Sequence, residues 1–199
     1  MDKGIATRLA LHKTWVDSMG SRGALLSLED ADFTQANLPG QVLTSAELPG
    51  ALFTESTLTE ADFFGAILAS ASFDRADLSG AMLGKANLDQ ASLRKAVLKK
   101  AQALKASFYE ADLEGADLTG ADLRRAYLVE ANLESCILRG VQLDEASLHG
   151  ARVRGADLRG ALGLSSIHAT WLNLGSREAP VRLEGAALKQ WLAEQSSEP

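Results

Sequence analysis

The chain has 199 residues, 46% of them hydrophobic, with a formal net charge of −6 at pH 7. That length suits one domain with a continuous core, and the acidic balance repels phosphate, so direct nucleic-acid binding is not expected. No apolar run approaches the roughly 18 residues of a membrane-spanning helix, and the single cysteine, Cys136, cannot form an intrachain disulfide.

At the amino terminus Ile5, Leu9, His12, Val16 and Met19 fall at spacings of four, three, four and three, which lines one face of a helix. The spacing predicts a helix from about Asp2 to Met19, ended by Gly20 and Gly23, and residues 1–25 read as a capping helix and lead-in. His12 lies on the apolar stripe and reads as a packing residue at the cap boundary. The same segment carries Asp2, Lys3, Arg8, His12 and Lys13 and no signal-peptide apolar stretch, so a cytoplasmic location is expected.

From residue 26 to 160 the chain repeats a five-residue pattern through 27 consecutive pentads: a small residue, a mostly polar one, Leu or Phe, then two outward types. The leading residue is Ala in 22 of the 27, the exceptions being Leu26, Gln41, Ser56, Cys136 and Val141. Five residues advance an α-helix by about 500°, so the leucines would spiral around a helix instead of stacking. Phe33, Phe53 and Phe73 recur every 20 residues, which makes four pentads one turn of a coil. Stacked in parallel at about 4.8 Å, the backbone groups of one turn satisfy those of the next. The first and third residues of each pentad then point inward, and Cys136 is a buried filler. At the second position, Asp62, Asp77, Asp112, Asp117, Asp122 and Asp157 are expected to bond the turn's backbone. Glycines such as Gly65, Gly80 and Gly120 occupy the fifth, where a turn can demand a positive φ, and Pro39-Gly40 and Pro49-Gly50 suit type II turns.

Past residue 160 the pattern decays, with Gly163 in place of the central Leu. A mixed stretch follows with Ile167, Trp171, Leu172 and Leu174. After Pro180 the run Leu183, Ala187, Leu188, Trp191 and Leu192 predicts an amphipathic helix from about Leu183 to Glu194, and the tail Ser196 to Pro199 is expected to fray. The repeat is thus assigned to residues 26–165 and a C-terminal cap to residues 166–199. Trp171, Leu188, Trp191 and Leu192 either close the end of the stack or pair with a second copy.

These pentads, seen most plainly in Ala116-Asp117-Leu118-Thr119-Gly120 and Ala121-Asp122-Leu123-Arg124-Arg125, resemble the pentapeptide-repeat proteins. The resemblance implies an all-β solenoid, a right-handed quadrilateral parallel β-helix of about seven coils, with short capping helices at both ends. It also implies two kinds of partner. Some members imitate B-form DNA in width and negative charge, bind DNA gyrase or topoisomerase IV and protect it from quinolone-like poisons. In some, carboxy-terminal elements build homodimers.

Catalytic chemistry is not expected. His12, His149 and His168 do not cluster, no glycine-rich phosphate loop precedes a helix, and no His or Cys pair has metal-ligand spacing, so neither an enzyme nor a cofactor or metal site is anticipated. Function must then be written on the outward positions. Residues 26–80 carry nine acids against Arg75 alone, residues 81–105 carry six bases against Asp89, and residues 106–160 carry ten acids and six arginines. Lys85, Lys105 and Arg125 form one column of like charge, a basic strip to which Lys95, Lys99 and Lys100 are added. Among apolar residues, Tyr109 and Val129 share a column with Tyr127 on the same side, and Phe64 and Leu104 share another with Gly84 between. These are candidate protein contacts. The expected function is a non-enzymatic protein-interaction scaffold, with a gyrase- or topoisomerase IV-binding DNA mimic as the alternative.

Overall fold

Between Ser27 and Leu162 each bridged residue pairs in parallel with the residue 20 positions further on, from Ser27 with Glu47 to Gln142 with Leu162. These pairings come from a computed structural model that describes residues 3–176 and 178–197; the expected helix start at Asp2 and the tail end at Glu198 and Pro199 lie outside them. Twenty residues are four pentads, so the chain winds as a right-handed quadrilateral β-helix of about seven coils.

One pentad shows how the backbone is satisfied. The third and fifth residues donate to the coil above, Leu28 to the Glu47 carbonyl (2.8 Å) and Asp30 to Pro49 (3.0 Å), and the second donates to the coil below, Glu47 to Leu26 (2.8 Å). The first residue closes the corner, as Ala36 does on the Phe33 carbonyl at 2.9 Å. An i to i+3 bond with positive φ at the third turn residue alone defines a type II turn. All 27 fifth positions have φ between 50° and 73°, and 17 of them are not glycine. The corners impose the left-handed conformation whatever residue stands there, and the inter-coil hydrogen bonds hold Lys95 and Glu110 in it as they hold Gly120.

The leading alanines and central leucines form one unbroken core. Phe53 is fully buried, with its ring stacked between Phe33 at 4.7 Å and Phe73 at 4.8 Å, and Phe63 meets it edge-on at 5.8 Å. Cys136 is buried among them; its thiol donates to the Leu113 carbonyl at 2.9 Å, and burial pushes its pKa up to about 12.

Helix α1 (Lys3–Asp17) closes the front end with Leu9 and His12 buried. Leu26 opens the first coil and its N–H donates to His12 Nδ1 at 3.1 Å, so this histidine accepts a hydrogen bond as well as packing. Met19 departs from the expected stripe. The helix ends at Asp17, Met19 has φ 52°, and its side chain is 97% exposed, because the chain turns away there toward Gly20.

At the back, a 3-10 turn (Leu164–Ser166) entered through Gly163 at φ 78° adds one residue to the coil. The ladder spacing changes to 21, His168 pairing with Ser147 and Asn173 with Arg152. Strand β1 (Trp171–Asn173) then pairs antiparallel with β2 (Arg182–Glu184), and α2 (Gly185–Ser197) follows. Leu183, expected to begin the helix, lies in β2 opposite Leu172, and the helix starts two residues later. Asn173 is buried and stitches the intervening loop, its Oδ1 accepting the N–H groups of Gly175 and Val181, both at 2.9 Å.

Candidate functional site

The backbone pattern described above leaves out the N–H of each fourth residue, and the polar second residue supplies its acceptor. All six aspartates singled out from sequence accept the N–H two residues on, from Phe64 on Asp62 at 2.9 Å to Arg159 on Asp157 at 3.3 Å. In the pentads of Ser92 and Ser107 an aspartate of the coil below takes over: Asp74 accepts the Arg94 N–H at 3.0 Å and Asp89 the Tyr109 N–H at 3.2 Å. These carboxylates are therefore engaged by the scaffold. Several titrate low: hydrogen bonds from the Thr34 hydroxyl to Asp32, from Arg124 to Asp122 and from Arg159 to Asp157 each hold the carboxyl below its usual range. A depressed carboxyl pKa contributes stability that is present above about pH 4, the ordinary carboxylate value, and is lost as pH falls through the folded value. The thermal midpoint is therefore expected to drop below about pH 4 in a denaturation series, and Asp122→Asn is expected to flatten that drop.

With the carboxylates so engaged, the outward side chains sort by side of the rod. One side carries residues 61–65, 81–85, 101–105 and 121–125, and the next carries 66–70, 86–90, 106–110 and 126–130. The two meet at a corner column of Gly65, Lys85, Lys105, Arg125 and Glu145. The repeat exposes seven large apolar side chains, Leu52, Phe64, Ile67, Met82, Leu104, Tyr127 and Leu162, and all except Leu52 lie on these two adjoining sides. Met82 and Ile67 were not singled out from sequence, because apolar residues at second positions also occur half-buried, as Val97 and Ile137 do. Tyr109 and Tyr127 approach to 6.1 Å between ring centres, with Tyr109 and Val129 half-buried and Tyr127 exposed. The hydrogen bond from Tyr109 to Glu110 raises the phenol pKa.

The basic residues divide between two arrangements. Lys85, Lys105 and Arg125 share the corner column while Lys95, Lys99 and Lys100 lie on other sides, and several bases are already paired: Lys99 with Asp117 at 3.1 Å, Arg94 with Asp112 at 2.6 Å, and Arg125 with Glu145 at 2.8 Å. Lys85 instead lies over the Phe64 ring, 5.3 Å from its centre. On the far side, Glu134 is buried between Arg154 at 2.5 Å and Arg152 at 3.6 Å, an ionic lock between successive coils.

At the carboxy-terminal end, His149 Nε2 accepts the Trp171 indole N–H at 3.0 Å, its Nδ1 meets the Thr170 hydroxyl at 2.5 Å, and Arg182 stacks on Trp171 at 4.9 Å. Leu188 is buried in the core, while Trp191 and Leu192 are half-buried against it. An apolar groove of about 560 Å³ runs between α2 and the last coil, lined by Leu164, Ile167, Leu188 and Leu192 among others. Among the described residues no group of His, Cys, Asp and Glu is arranged to hold a metal ion, and no helix is long and apolar enough to cross a membrane.

A stack of four-sided coils with alanine and leucine inside and short polar residues at each turn defines a quadrilateral solenoid. The family model for pentapeptide repeats matches in eight copies across overlapping segments from residue 27 to residue 162, and the chain belongs to that family. No curated protein matches it. Among solved structures it is similar to HetL, a pentapeptide repeat protein involved in heterocyst differentiation regulation from the cyanobacterium Nostoc sp. strain PCC 7120, with 32% identity over 72% of this chain and 67% of that one and a TM-score of 0.57. A pentapeptide repeat protein of the Arabidopsis thaliana thylakoid lumen is 40% identical over 43% of this chain and 59% of its own, with a TM-score of 0.42. QnrB1, a plasmid-mediated fluoroquinolone resistance protein, is 18% identical over 77% of this chain and 86% of its own, with a TM-score of 0.33.

Proposed function

We propose that this protein is a non-enzymatic, cytoplasmic scaffold that binds another protein along one edge of its rod. The supporting observation is the gathering of six exposed large apolar side chains on two adjoining sides, one of them Tyr127, which pairs with Tyr109. Scattered surface apolar residues need no explanation, whereas a shared edge is what a contact surface requires. A rigid solenoid suits that role, since each coil is fixed by its neighbours and the outward side chains keep a set spacing.

The test is affinity capture from host extract with wild-type protein and with Tyr109→Ala plus Tyr127→Ala. A specific partner that is lost from the double variant supports the reading, and the absence of any partner above background sinks it. The acidic coils at residues 26–80 favour a second reading, in which the rod imitates DNA toward a type II topoisomerase. Under it, micromolar protein inhibits gyrase supercoiling or relieves a poison, and an unchanged assay removes that reading.

A further inference from the structure

We infer that the side bearing Phe64, Met82 and Leu104, with Lys85 and Lys105 at its corner, docks an acidic protein segment that inserts apolar side chains. This inference rests on the scaffold reading and gives it a site and a partner chemistry.

The geometry begins at Gly84. Its φ lies outside the left-handed region, so no turn calls for glycine at this fourth position. What calls for it is space, since a Cβ there would come within 3.1 Å of Phe64 Cδ2. The Phe64 ring thus lies down along the rod over the Gly84 backbone instead of standing off it, and Leu104 follows in the same column. With Met82 beside them, the three side chains are 45%, 38% and 39% exposed for Phe64, Met82 and Leu104 respectively. They form a flat apolar surface across adjoining coils.

Charge selects the occupant. Among the described residues neither Lys85 nor Lys105 has a carboxylate at ion-pairing distance, whereas the nearby acids are engaged: Asp62 by the Thr44 hydroxyl at 2.6 Å, Asp122 by Arg124 at 2.7 Å, and Glu145 by Arg125 at 2.8 Å. Two ammonium groups with no carboxylate at ion-pairing distance, beside an apolar surface, match a segment that alternates aliphatic or aromatic side chains with carboxylates. Nucleic acid fits poorly, because the formal net charge of −6 repels phosphate.

The experiment selects random twelve-residue peptides displayed on phage against the full-length protein. Selected peptides are expected to carry net negative charge and at least two apolar residues. Their affinity is expected to fall about tenfold in Phe64→Ser and in Lys85→Glu plus Lys105→Glu, to weaken with salt, and to hold in Tyr109→Ala plus Tyr127→Ala. Leu104→Ser serves as a second apolar variant if Phe64→Ser unfolds early. Basic or neutral peptides, no enriched peptide, or affinity unchanged in the lysine variant overturns the inference. If host partner capture depends on the tyrosines while no acidic peptide binds, the scaffold reading stands and this site falls; if neither binds, both fall.

Discussion

Replacing Phe53 by alanine is expected to destabilise the protein by about 3–5 kcal/mol, the range for truncating a fully buried aromatic side chain. The ring is 0% exposed and has aromatic neighbours on three sides, Phe33 and Phe73 in parallel at 4.7 and 4.8 Å and Phe63 edge-on at 5.8 Å. Its removal strips contacts from all three, and the coils cannot close the gap, because their separation is held by the backbone hydrogen bonds between them, such as the 2.6 Å bond from Phe53 to Ser72. A solenoid is stabilised coil by coil through nearest neighbours, so the loss is local. Amide exchange is expected to accelerate across residues 26–80 while residues 106–160 stay protected. Phe53→Leu refills most of the volume and is expected to cost less than about 1.5 kcal/mol. If alanine and leucine cost the same, the stacking of rings and not the filled volume supports this column. If denaturant melts show less than about 1 kcal/mol for alanine, the coils relax and the column is not a unit.

The same column shows how far sequence alone reaches. Phenylalanines at 20-residue spacing revealed the four-pentad turn because identical side chains stack only when they share a column, and the ring separations of 4.7 and 4.8 Å are those of adjacent coils. The corners were partly legible. Glycine at fifth positions signals a positive φ, yet Lys95, Glu110 and Arg125 adopt it too, and their side chains give no local sign of it because inter-coil hydrogen bonds override their preference. The ends were less legible still. Met19 continues the helical spacing of its stripe, but helix termination depends on the packing of the next segment. The extra residue near Gly163 leaves no trace in composition and shows only as the ladder spacing changing from 20 to 21. For the outer surface, column arithmetic placed Phe64 near Leu104 and Lys85 near Lys105 in neighbouring columns, and the structure adds that the Phe64 ring lies against Gly84 with Lys85 over it. Side-chain direction is what a repeat register does not specify.

The second large effect is expected at Gly23, where substitution by alanine should detach the front cap. Gly23 has φ 77°, a conformation that costs an L-residue about 1–2 kcal/mol. A Cβ there would also stand 2.3 Å from the Leu11 carbonyl oxygen and 2.7 Å from the Trp15 nitrogen, both backbone atoms of α1 that cannot swing aside as a side chain could. The helix must shift bodily, and with it the 3.1 Å bond from the Leu26 N–H to His12 Nδ1, whose loss leaves a buried donor at a further cost of about 1–3 kcal/mol. Together these give about 3 kcal/mol in the thermal or denaturant melt of Gly23→Ala. A pH readout separates cap loss from general damage. Burial holds the His12 pKa below its ordinary value, against a smaller upward pull from the Thr44 backbone. Protonation therefore favours the undocked helix: the cap's contribution is complete above about pH 6.5 and is lost as pH falls below it. Wild-type protein is expected to lose stability through this group as pH falls below about 6.5, and Gly23→Ala, with the ring already in solvent, is expected to lack that slope. A variant that melts early but keeps the slope would mean that His12 stays docked and that the clash is relieved elsewhere. The exposed first coil adds a last consequence, because the backbone groups of its second-position residues Ser27, Asp32 and Asn37 face away from the next coil and offer a template for a second chain. Gly23→Ala is accordingly expected to associate with rising concentration where the capped protein does not, measured by light scattering across a dilution series.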